Sequence, residues 1–319
     1  MTWRRFLEGL GWLVVLGGAW TLASAWLGIT RHLVTVAAQA FGPLLLFAVW
    51  PVAVAALVGK RWALAAAAVA LCVAHLAIIV PLVRRDSQPT WAASAPTISV
   101  LAANVLYLNY LVTEGAATIA AADVDVIVLV ELTPSWVSAL RTAGVLDRFP
   151  HHVLFPAEGN ATGSAILSKR PLVADHEYTA GRRSVHSVEV AVGTQRLEIV
   201  ELHPQAPSAG LLLRSWSEQI RDHGLIVDRR KGPMVMAGDL NASYLNPPYR
   251  ELLSHGLRDA HEVTGQGFSF SFPIDSGIPP VVRLDHALVT SDVAVLSVHD
   301  VTIPGSDHRA FITKLAVKQ

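Results

Sequence analysis

Five short blocks between residues 103 and 309 place an acid, an amide or an imidazole at or near the end of an apolar run. Polar side chains presented by loops on a rigid scaffold are typical of catalytic sites. Side chains of these types can bind a hard cation, hold a water molecule and contact phosphate oxygens. The blocks are Ala103-Asn104-Val105, Val130-Glu131-Leu132, Leu202-His203-Pro204, Gly238-Asp239-Leu240-Asn241, and Arg283-Leu284-Asp285-His286 with Gly305-Ser306-Asp307-His308-Arg309.

Glu131 follows the apolar run Val126–Val130, which predicts a buried strand that ends at the acid. A carboxylate in that position costs free energy unless it is paired or binds a metal ion. Carboxylate oxygens suit Mg²⁺, and also Mn²⁺, so Glu131 is the first candidate metal ligand. Taken alone, the residue is equally compatible with an ordinary surface acid at a strand end.

Asp239 and Asn241 are two residues apart, so alternation along an extended chain sends both side chains to the same side. The acid can hold or deprotonate a water molecule while the amide donates to a phosphate oxygen, and Gly238 permits close backbone approach. His203 ends another apolar strand and can donate to a non-bridging phosphate oxygen. Asp and Asn are also ordinary turn residues, and a lone histidine at a strand end is more often structural.

Asp307 and His308 lie near the C-terminus, with Asp285 upstream. A carboxylate that accepts from one ring nitrogen of a histidine fixes the tautomer and raises the basicity of the other nitrogen. Such a pair acts as a general base or stabilises developing charge. Whether Asp239 or His308 is the base is left open by the sequence.

Short strands outnumber helices around these blocks. Ser184–Val192 and Arg196–His203 flank Gly193-Thr194, which predicts a hairpin, and Leu211–Arg229 predicts a long helix. Such a pattern favours two mixed sheets packed face to face with helices outside. The candidate polar residues then lie at strand ends or in the loops after them.

In this order, the blocks resemble the endonuclease/exonuclease/phosphatase family, which includes deoxyribonuclease I, exonuclease III, inositol polyphosphate 5-phosphatases and neutral sphingomyelinases. The most specific parts are Gly-Asp-Leu-Asn at 238–241 and Ser-Asp-His-Arg at 306–309, and Gly163–Ser168 is similar to the family's Gly-x-Ala-Ile-Leu-Ser strand. The resemblance covers roughly residues 97–317. It implies a four-layer α/β sandwich and Mg²⁺-dependent cleavage of a phosphoester or phosphoanhydride.

The resemblance also implies a role for each site residue. The implied metal-site residues are Asn104, Glu131 and Asp307, with the Asn104 amide near both metal and phosphate. The implied catalytic residues are His203 at the phosphate, Asp239 and Asn241 at the attacking water, and Asp285, which orients His308.

Three runs without formal charge, at 10–29, 33–58 and 62–83, predict three transmembrane helices. Tryptophans lie near the ends of these runs, as interfacial aromatics do. Ala23-Ser24-Ala25 is also typical of a signal-peptide cleavage site, but the run continues to Ile29, which favours an uncleaved helix. The predicted organisation is a three-helix anchor at 1–83, a polar linker at 84–96 and a catalytic domain at 97–319.

The basic residues at the ends of the runs predict the orientation. Four of them (Arg4, Arg5, Lys60 and Arg61) would share one side of the membrane, and three (Arg31, Arg84 and Arg85) the other. The small excess favours a cytoplasmic N-terminus and therefore a multi-pass protein whose catalytic domain lies outside the cytoplasm. His75, inside the third run, is interpreted as a neutral histidine bonded to a neighbouring helix rather than as a functional group in the membrane.

The charge balance disfavours nucleic acid as a partner. Residues 1–83 hold five basic residues and one acid, so residues 84–319 carry 20 basic and 24 acidic residues. Proteins that bind nucleic acid normally present a basic face. Cys72 is the only cysteine, which excludes an intrachain disulfide and a cysteine-based metal site.

The anchor is foreign to the nuclease members and resembles that of a bacterial membrane-anchored subgroup that includes the teicoplanin-resistance protein. This resemblance implies undecaprenyl pyrophosphate or another lipid phosphate as substrate, and a role in cell-envelope metabolism or glycopeptide resistance. The expected partners are the lipid bilayer and the lipid phosphate, and no obligate protein partner is inferred. The alternatives are a membrane-tethered nuclease, a sugar-phosphate phosphatase acting on soluble substrates, and a non-catalytic binding protein.

Overall fold

The computed structural model describes residues 3–208, 210–274 and 276–319. Two of its helices, α1 (Trp3–Trp26) and α5 (Trp62–Val83), are long and apolar enough to cross a membrane. Because a helix rises about 1.5 Å per residue, each exceeds the roughly 30 Å of a bilayer's hydrocarbon core. They account for the first and third of the predicted spans.

The second predicted span is not one continuous helix, so the described residues contain two clear candidate spans, or three if the bent pair counts as one, instead of the three expected transmembrane helices. Residues 33–58 form α2 (Leu33–Ala40), α3 (Gly42–Leu45), a 3₁₀ turn (Leu46–Ala48) and α4 (Val49–Val58), and α2 is bent by 68° from Gly42–Val58. Pro43 stands in the first turn of α3, where a missing N–H is tolerated, but it cannot continue the hydrogen-bond ladder of α2. The uncharged run therefore contains a break that hydropathy alone does not reveal.

His75 of α5 is held by two hydrogen bonds inside the helix cluster. Trp50 Nε1–H donates to Nδ1 at 3.0 Å, so Nε2 carries the proton and donates to the Pro43 carbonyl at 2.9 Å. An imidazole satisfied in this way is neutral and structural. The interpretation of His75 as a bonded neutral histidine is confirmed.

Residues 97–319 form two six-stranded sheets packed face to face, with orders β11-β12-β1-β2-β4-β3 and β5-β6-β7-β8-β10-β9. The first sheet has strands β1 (Thr97–Asn104), β2 (Val126–Val130), β3 (His151–Phe155), β4 (Ser164–Ser168), β11 (Val293–Thr302) and β12 (Arg309–Val317). The second has β5 (Leu172–Ala180), β6 (Arg183–Val192), β7 (Gln195–Leu202), β8 (Met234–Asp239), β9 (Arg258–Asp259) and β10 (Asp285–Val289).

Helices cover the outer faces of both sheets. The helices are α6 (Val112–Ala121), α7 (Pro134–Thr142), α8 (Val145–Arg148), α9 (Leu211–Arg229), α10 (Pro247–Ser254) and α11 (Ala260–Val263). α6 to α8 bury Ile119 and Trp136 against the first sheet, and α9 and α10 bury Trp216 against the second. A third cluster, including Val126 and Ile199, lies between the sheets. The predicted α/β sandwich is confirmed, and the predicted helix at 211–229 matches α9.

The N-terminal helices pack directly on the second half of the sandwich. Val36 of α2 and Leu82 of α5 belong to the same buried cluster as Trp216. A Cβ on Gly42 would lie 2.6 Å from Leu245 Cδ1, so a larger residue there would require the Leu245 side chain to move. The predicted linker is pinned as well, because Gln88 donates to the Val295 carbonyl at 2.7 Å.

A buried charge network underlies β10. His286 Nδ1 lies 2.5 Å from Asp259 Oδ2, and Arg283 donates to both carboxylate oxygens of Asp300 at 3.0 Å. Burial would raise the pKa of Asp259, but His286, His261 and Arg283 outweigh it and lower that pKa to about 2. The charged form of Asp259 therefore stabilises the fold.

We expect Asp259→Asn to cost about 3–5 kcal/mol of stability at neutral pH, because it leaves a buried His286 charge unpaired while the amide oxygen can keep the helix cap. The pKa of Asp259 is about 2 in the folded protein and about 4 in the unfolded chain. The charge of Asp259 therefore gives its full stabilisation above about pH 4, and this stabilisation is lost as the pH falls from about 4 to about 2. Thermal unfolding of the protein in detergent, followed from pH 7 to pH 3, should show this loss in the wild type and a flatter dependence in the variant. The exposed Asp123→Asn is the control, and equal melting temperatures for wild type and Asp259→Asn would contradict the prediction.

Candidate active site

The predicted polar residues meet at one edge of the sandwich. β1 and β2 are parallel and end together, with Asn104 opposite Val130, and β7 and β8 are parallel with Leu202 opposite Gly238. β10 and β12 run antiparallel to β8 and β1, so their first residues lie at that same edge. The carboxyl ends of β1, β2, β7 and β8 therefore lie at the same edge as the amino ends of β10 and β12. This arrangement brings together Glu131, His203, Asp239, Asp285 and His308.

Asp285 and His308 form a hydrogen-bonded pair. His308 Nδ1–H donates to Asp285 Oδ2 at 2.8 Å, and His308 Nε2 faces Asp239 Oδ2 at 3.7 Å. Burial disfavours a charged His308, but the carboxylates of Asp285 and Asp239 outweigh it and raise the pKa of His308 to about 10. The imidazole is therefore held as a cation with one N–H aimed into the site.

Asp239 and Asn241 lie together at the end of β8. The Asn241 backbone N–H donates to Asp239 Oδ1 at 2.8 Å, and the Asn241 amide donates to Asp239 Oδ2 at 3.2 Å and to the Pro204 carbonyl at 3.1 Å. Burial raises the pKa of Asp239 to about 6 against the charge of His308. A Cβ on Gly238 would lie 2.3 Å from the Leu202 carbonyl oxygen, so the expected close backbone approach is present.

Glu131 and Asn104 form the second half of the site. Asn104 Nδ2 donates to Glu131 Oε1 at 2.9 Å and to Asp239 Oδ2 at 3.1 Å, and so links the two acids. Burial alone would raise the pKa of Glu131, but the His203 ring 3.7 Å away, the Tyr107 N–H and the Asn104 amide hold it below its usual value. The carboxylate is thus kept ionised.

Backbone strain is concentrated at this edge. Among the described residues other than glycine, only Lys60, Leu106, Glu131 and Asn241 have a positive φ. Glu131 and Asn241 are site residues, and the Leu106 N–H donates to Asn104 Oδ1 at 3.0 Å. Left-handed conformations of such residues cost free energy and persist where surrounding contacts enforce them. Glu131 is therefore positioned by the fold, whereas asparagine adopts this conformation readily by itself.

The donor set fits a divalent cation. Asp239, Asp285 and His308 offer ligand atoms that all lie within 4.8 Å of one another. Asp285 Oδ1 and Asp307 Oδ1 are buried and have no hydrogen-bond partner within the described chain. Glu131 and Asp307 also line the cavity, and their role as metal-binding acids stays a prediction. Oxygen-rich sites of this kind suit Mg²⁺ or Mn²⁺.

The side-chain amide of Asn104 is not oriented as that of a direct metal ligand would be. Its amide nitrogen faces the two carboxylates, while its oxygen accepts from the Leu106 N–H. A cation prefers the oxygen, so direct ligation would require the amide to turn over and lose that bond. In this arrangement Asn104 orients Glu131 and Asp239, and its role as a ligand stays a prediction.

Two residues of the site carried no prediction. Ser306 Oγ donates to the Asn104 carbonyl at 2.7 Å and accepts from the His308 N–H at 3.1 Å, so it ties two strand ends together. Arg183 begins β6, lines the same cavity as Glu131 and donates to the His203 carbonyl at 3.1 Å. Ser306 was detectable as part of its block, whereas Arg183 has no sequence signal beyond its charge.

Most of the polar side chains of the site line one cavity of about 430 Å³. They are Glu131, Arg183, His203, Asp239, Asn241, Asp307 and His308, whereas Asn104, Asp285 and Ser306 lie behind this lining. Phe272 lies beside His308 with ring centroids 4.9 Å apart. The apolar lining comes largely from the N-terminal helices, through Leu33, Val36, Ala37, Ala40 and Phe41, and partly from Pro207, Val282 and Leu284 of the sandwich. Residues of the N-terminal helices and of the candidate site therefore share one cavity.

Comparison with known proteins agrees with this geometry. The model of the Endonuclease/Exonuclease/phosphatase family matches residues 103–308, whereas no curated protein matches the chain. Similar solved structures include an endonuclease/exonuclease/phosphatase from Beutenbergia cavernae DSM 12333, at 20% identity over 70% of this chain and 72% of that one, with a TM-score of 0.54.

Two further structures are similar over almost their whole length. Sphingomyelinase C from Streptomyces griseocarneus is 20% identical over 69% of this chain and 99% of that one, with a TM-score of 0.52. D. rerio TDP2 complexed with a single-strand DNA product is 18% identical over 69% and 99%, with a TM-score of 0.56. At these identities the likeness establishes the fold alone.

Proposed function

The chain belongs to the endonuclease/exonuclease/phosphatase family, and from that premise we propose that it is a membrane-anchored, Mg²⁺-dependent phosphoesterase acting on a lipid-linked phosphate or pyrophosphate. An isoprenoid pyrophosphate such as undecaprenyl pyrophosphate is the proposed substrate. The catalytic domain is proposed to face away from the cytoplasm, with a role in cell-envelope metabolism or glycopeptide resistance.

One observation is the main support for a lipid-linked substrate. The cavity that holds Asp239 and His308 is also lined by Val36, Ala37 and Phe41 of the membrane segment. A soluble phosphate ester would leave that apolar surface in contact with water, whereas a lipid phosphate would cover it. Tethering also confines the site to the plane of the headgroups and so raises their effective concentration.

The arrangement of charges supports a separate catalytic role for each of the charged residues of the site. Asp239 is proposed as the base that takes a proton from the attacking water, because it is ionised at neutral pH and is oriented by Asn241. His308, held as a cation by Asp285, is proposed to donate to a phosphoryl oxygen as charge builds up there. His203 and Arg183 line the same cavity and are proposed to contact the remaining phosphate oxygens.

Glu131 and Asp307 are proposed to hold the cation. A bound divalent cation polarises a phosphoryl oxygen and neutralises negative charge that develops on it. Such a cation would add to the positive charge of His308 and Arg183 and offset the carboxylates that surround the phosphate. Asn104 links Glu131 and Asp239 by donating to both.

The proposed topology is multi-pass. Arg61 pairs with Glu8 at 3.3 Å, so the loop between α4 and α5 lies at the same end of the helix cluster as the N-terminus. Residues 33–58 then lead from the catalytic end to the opposite end, with Gly42–Val58 as a short crossing and α2 at its catalytic end. The basic residues Arg4, Arg5, Lys60 and Arg61 at that opposite end favour its being cytoplasmic.

Full-length protein purified in detergent is expected to release inorganic phosphate from polyprenyl pyrophosphate only with Mg²⁺ or Mn²⁺. EDTA should abolish the release and added Mg²⁺ should restore it, since the cation neutralises negative charge that develops on the phosphoryl group. Single-stranded DNA and a soluble sugar phosphate are the comparison substrates. Faster cleavage of either of these, or full activity in EDTA, would count against the proposal.

A further inference from the structure

α2 presents one face to the catalytic cavity. Leu33, Val36, Ala37, Ala40 and Phe41 line it, at spacings of three and four residues that place side chains on one side of a helix. None of these side chains carries a polar group. The cavity therefore has an acidic end built by the sandwich and a hydrocarbon wall built by α2.

The position of α2 is fixed by buried hydrogen bonds. The Gln39 amide donates to the Ile29 carbonyl at 2.9 Å and to Ser24 Oγ at 3.2 Å, which joins α2 to α1. Asn246 Nδ2 donates to the Val36 carbonyl at 3.0 Å, which joins α2 to the sandwich. Gln39 and Asn246 are buried, so loss of these bonds would leave unpaired polar groups. α2 is thus a fixed wall of the cavity.

The outer side of α2 is available to the bilayer. Val34 is 82% exposed and does not line the cavity, while Leu33 lines it and is still 44% exposed. The helix is bent by 68° from Gly42–Val58, so it lies across the catalytic end of the membrane segment rather than along it. An apolar path therefore runs from the exposed edge of α2 to the cavity.

We propose that α2 binds the hydrocarbon chain of the substrate next to its phosphate, and so selects for long-chain lipid phosphates. The inference rests on the proposed function and assigns part of the substrate site to the membrane segment itself. The occupant is the first part of a polyprenyl chain that leaves the acidic end along Ala37 and Leu33. Apolar walls joined to a few polar groups are the usual form of a site for an amphiphilic ligand.

The test compares two substrates that differ in chain length and share the pyrophosphate group: a long-chain polyprenyl pyrophosphate in detergent and isopentenyl pyrophosphate. Ala37→Phe narrows the hydrocarbon wall and is expected to raise KM for the long-chain substrate by about tenfold or more, since pockets discriminate single carbon groups by about that factor. The loss of kcat/KM should be several-fold smaller for isopentenyl pyrophosphate, because its short chain reaches less of the hydrocarbon wall.

Two variants make the result specific. Ala40→Leu enlarges another lining residue by less and should give the same pattern in weaker form. Val34→Phe adds the same ring to the exposed side of α2 and should leave both substrates unchanged. Equal changes on both substrates, or an unchanged chain-length preference in Ala37→Phe and Ala40→Leu with wild-type melting temperatures, would overturn the role of α2.

The outcomes separate this inference from the proposed function. A wild type that hydrolyses polyprenyl pyrophosphate well, with lining variants that keep its chain-length preference, refutes only the role of α2. A wild type that cleaves isopentenyl pyrophosphate as efficiently as the long-chain substrate refutes the lipid specificity and, with it, the hydrocarbon wall.

Discussion

Glu131→Gln is expected to lower kcat for polyprenyl pyrophosphate about a thousandfold, because loss of a metal-binding charge removes several kcal/mol of transition-state stabilisation. The substitution keeps the size of the side chain, and the single carbonyl oxygen of glutamine can still accept from either Asn104 or the Tyr107 N–H. The pKa of Glu131 is held below its usual value, so its charge stabilises the fold and the variant is expected to melt at a lower temperature. Turnover is therefore measured below the melting transition of both proteins, so that the lost rate reports on chemistry.

The measurement is kcat across a titration of Mg²⁺, together with Mn²⁺ binding followed by electron paramagnetic resonance. Glu131→Gln should weaken Mn²⁺ binding as well as turnover. Glu114→Gln, an exposed acid on α6, is the matched control and should behave as wild type. Wild-type Mn²⁺ affinity and turnover in Glu131→Gln would show that this acid does not hold the metal.

His308→Gln is expected to lower kcat by about 10²–10⁴-fold, the range usual for loss of a positioned acid or base. Glutamine can reach toward Asp285 but carries no positive charge to place opposite a phosphoryl oxygen. Asp285→Asn should also lower kcat, because a neutral amide does not stabilise the positive charge of His308 as the carboxylate does. His299→Gln, an exposed histidine of β11, serves as the control.

The two residues are expected to act as a unit. If Asp285 works only by orienting and charging His308, the double variant should be about as slow as the slower single variant. The pH dependence of kcat gives a second readout, since wild type and Asp285→Asn should differ at alkaline pH where the weakened His308 cation loses its proton. Independent, multiplicative losses with unchanged pH profiles would separate the two residues and remove the pair from the mechanism.

Much of the sandwich could be predicted because short runs of residue types in the sequence are enough to identify its strands. Val126–Val130 is a continuous apolar run that can satisfy its backbone only in a sheet buried on both faces, and α9 was predicted with the bounds that the structure has. The residues after these runs could be predicted to meet as well, because a polar group at the end of a buried strand has few other places to lie. Their individual roles were supplied by the family resemblance and stay predictions.

The break in the second membrane segment could not be predicted from hydropathy. Residues 33–58 are uniformly uncharged, and proline is tolerated within membrane helices, so the run was equally compatible with one span. At the bend Gly42 packs close to Leu245, a contact between residues more than 200 positions apart. Arg183 was missed for a similar reason, since its neighbour His203 belongs to a different strand.

The sequence by itself determined the chemistry of this protein: which acids, amides and imidazoles stand at strand ends, and that an apolar anchor precedes them. These features depend on local patterns of residue type. Such patterns specify where a strand ends and which side chain follows it. Only the tertiary structure decided that α2 forms a wall of the same cavity and that Asn104 turns its nitrogen toward Glu131. Both depend on contacts between distant segments, and such contacts leave no periodicity in the chain.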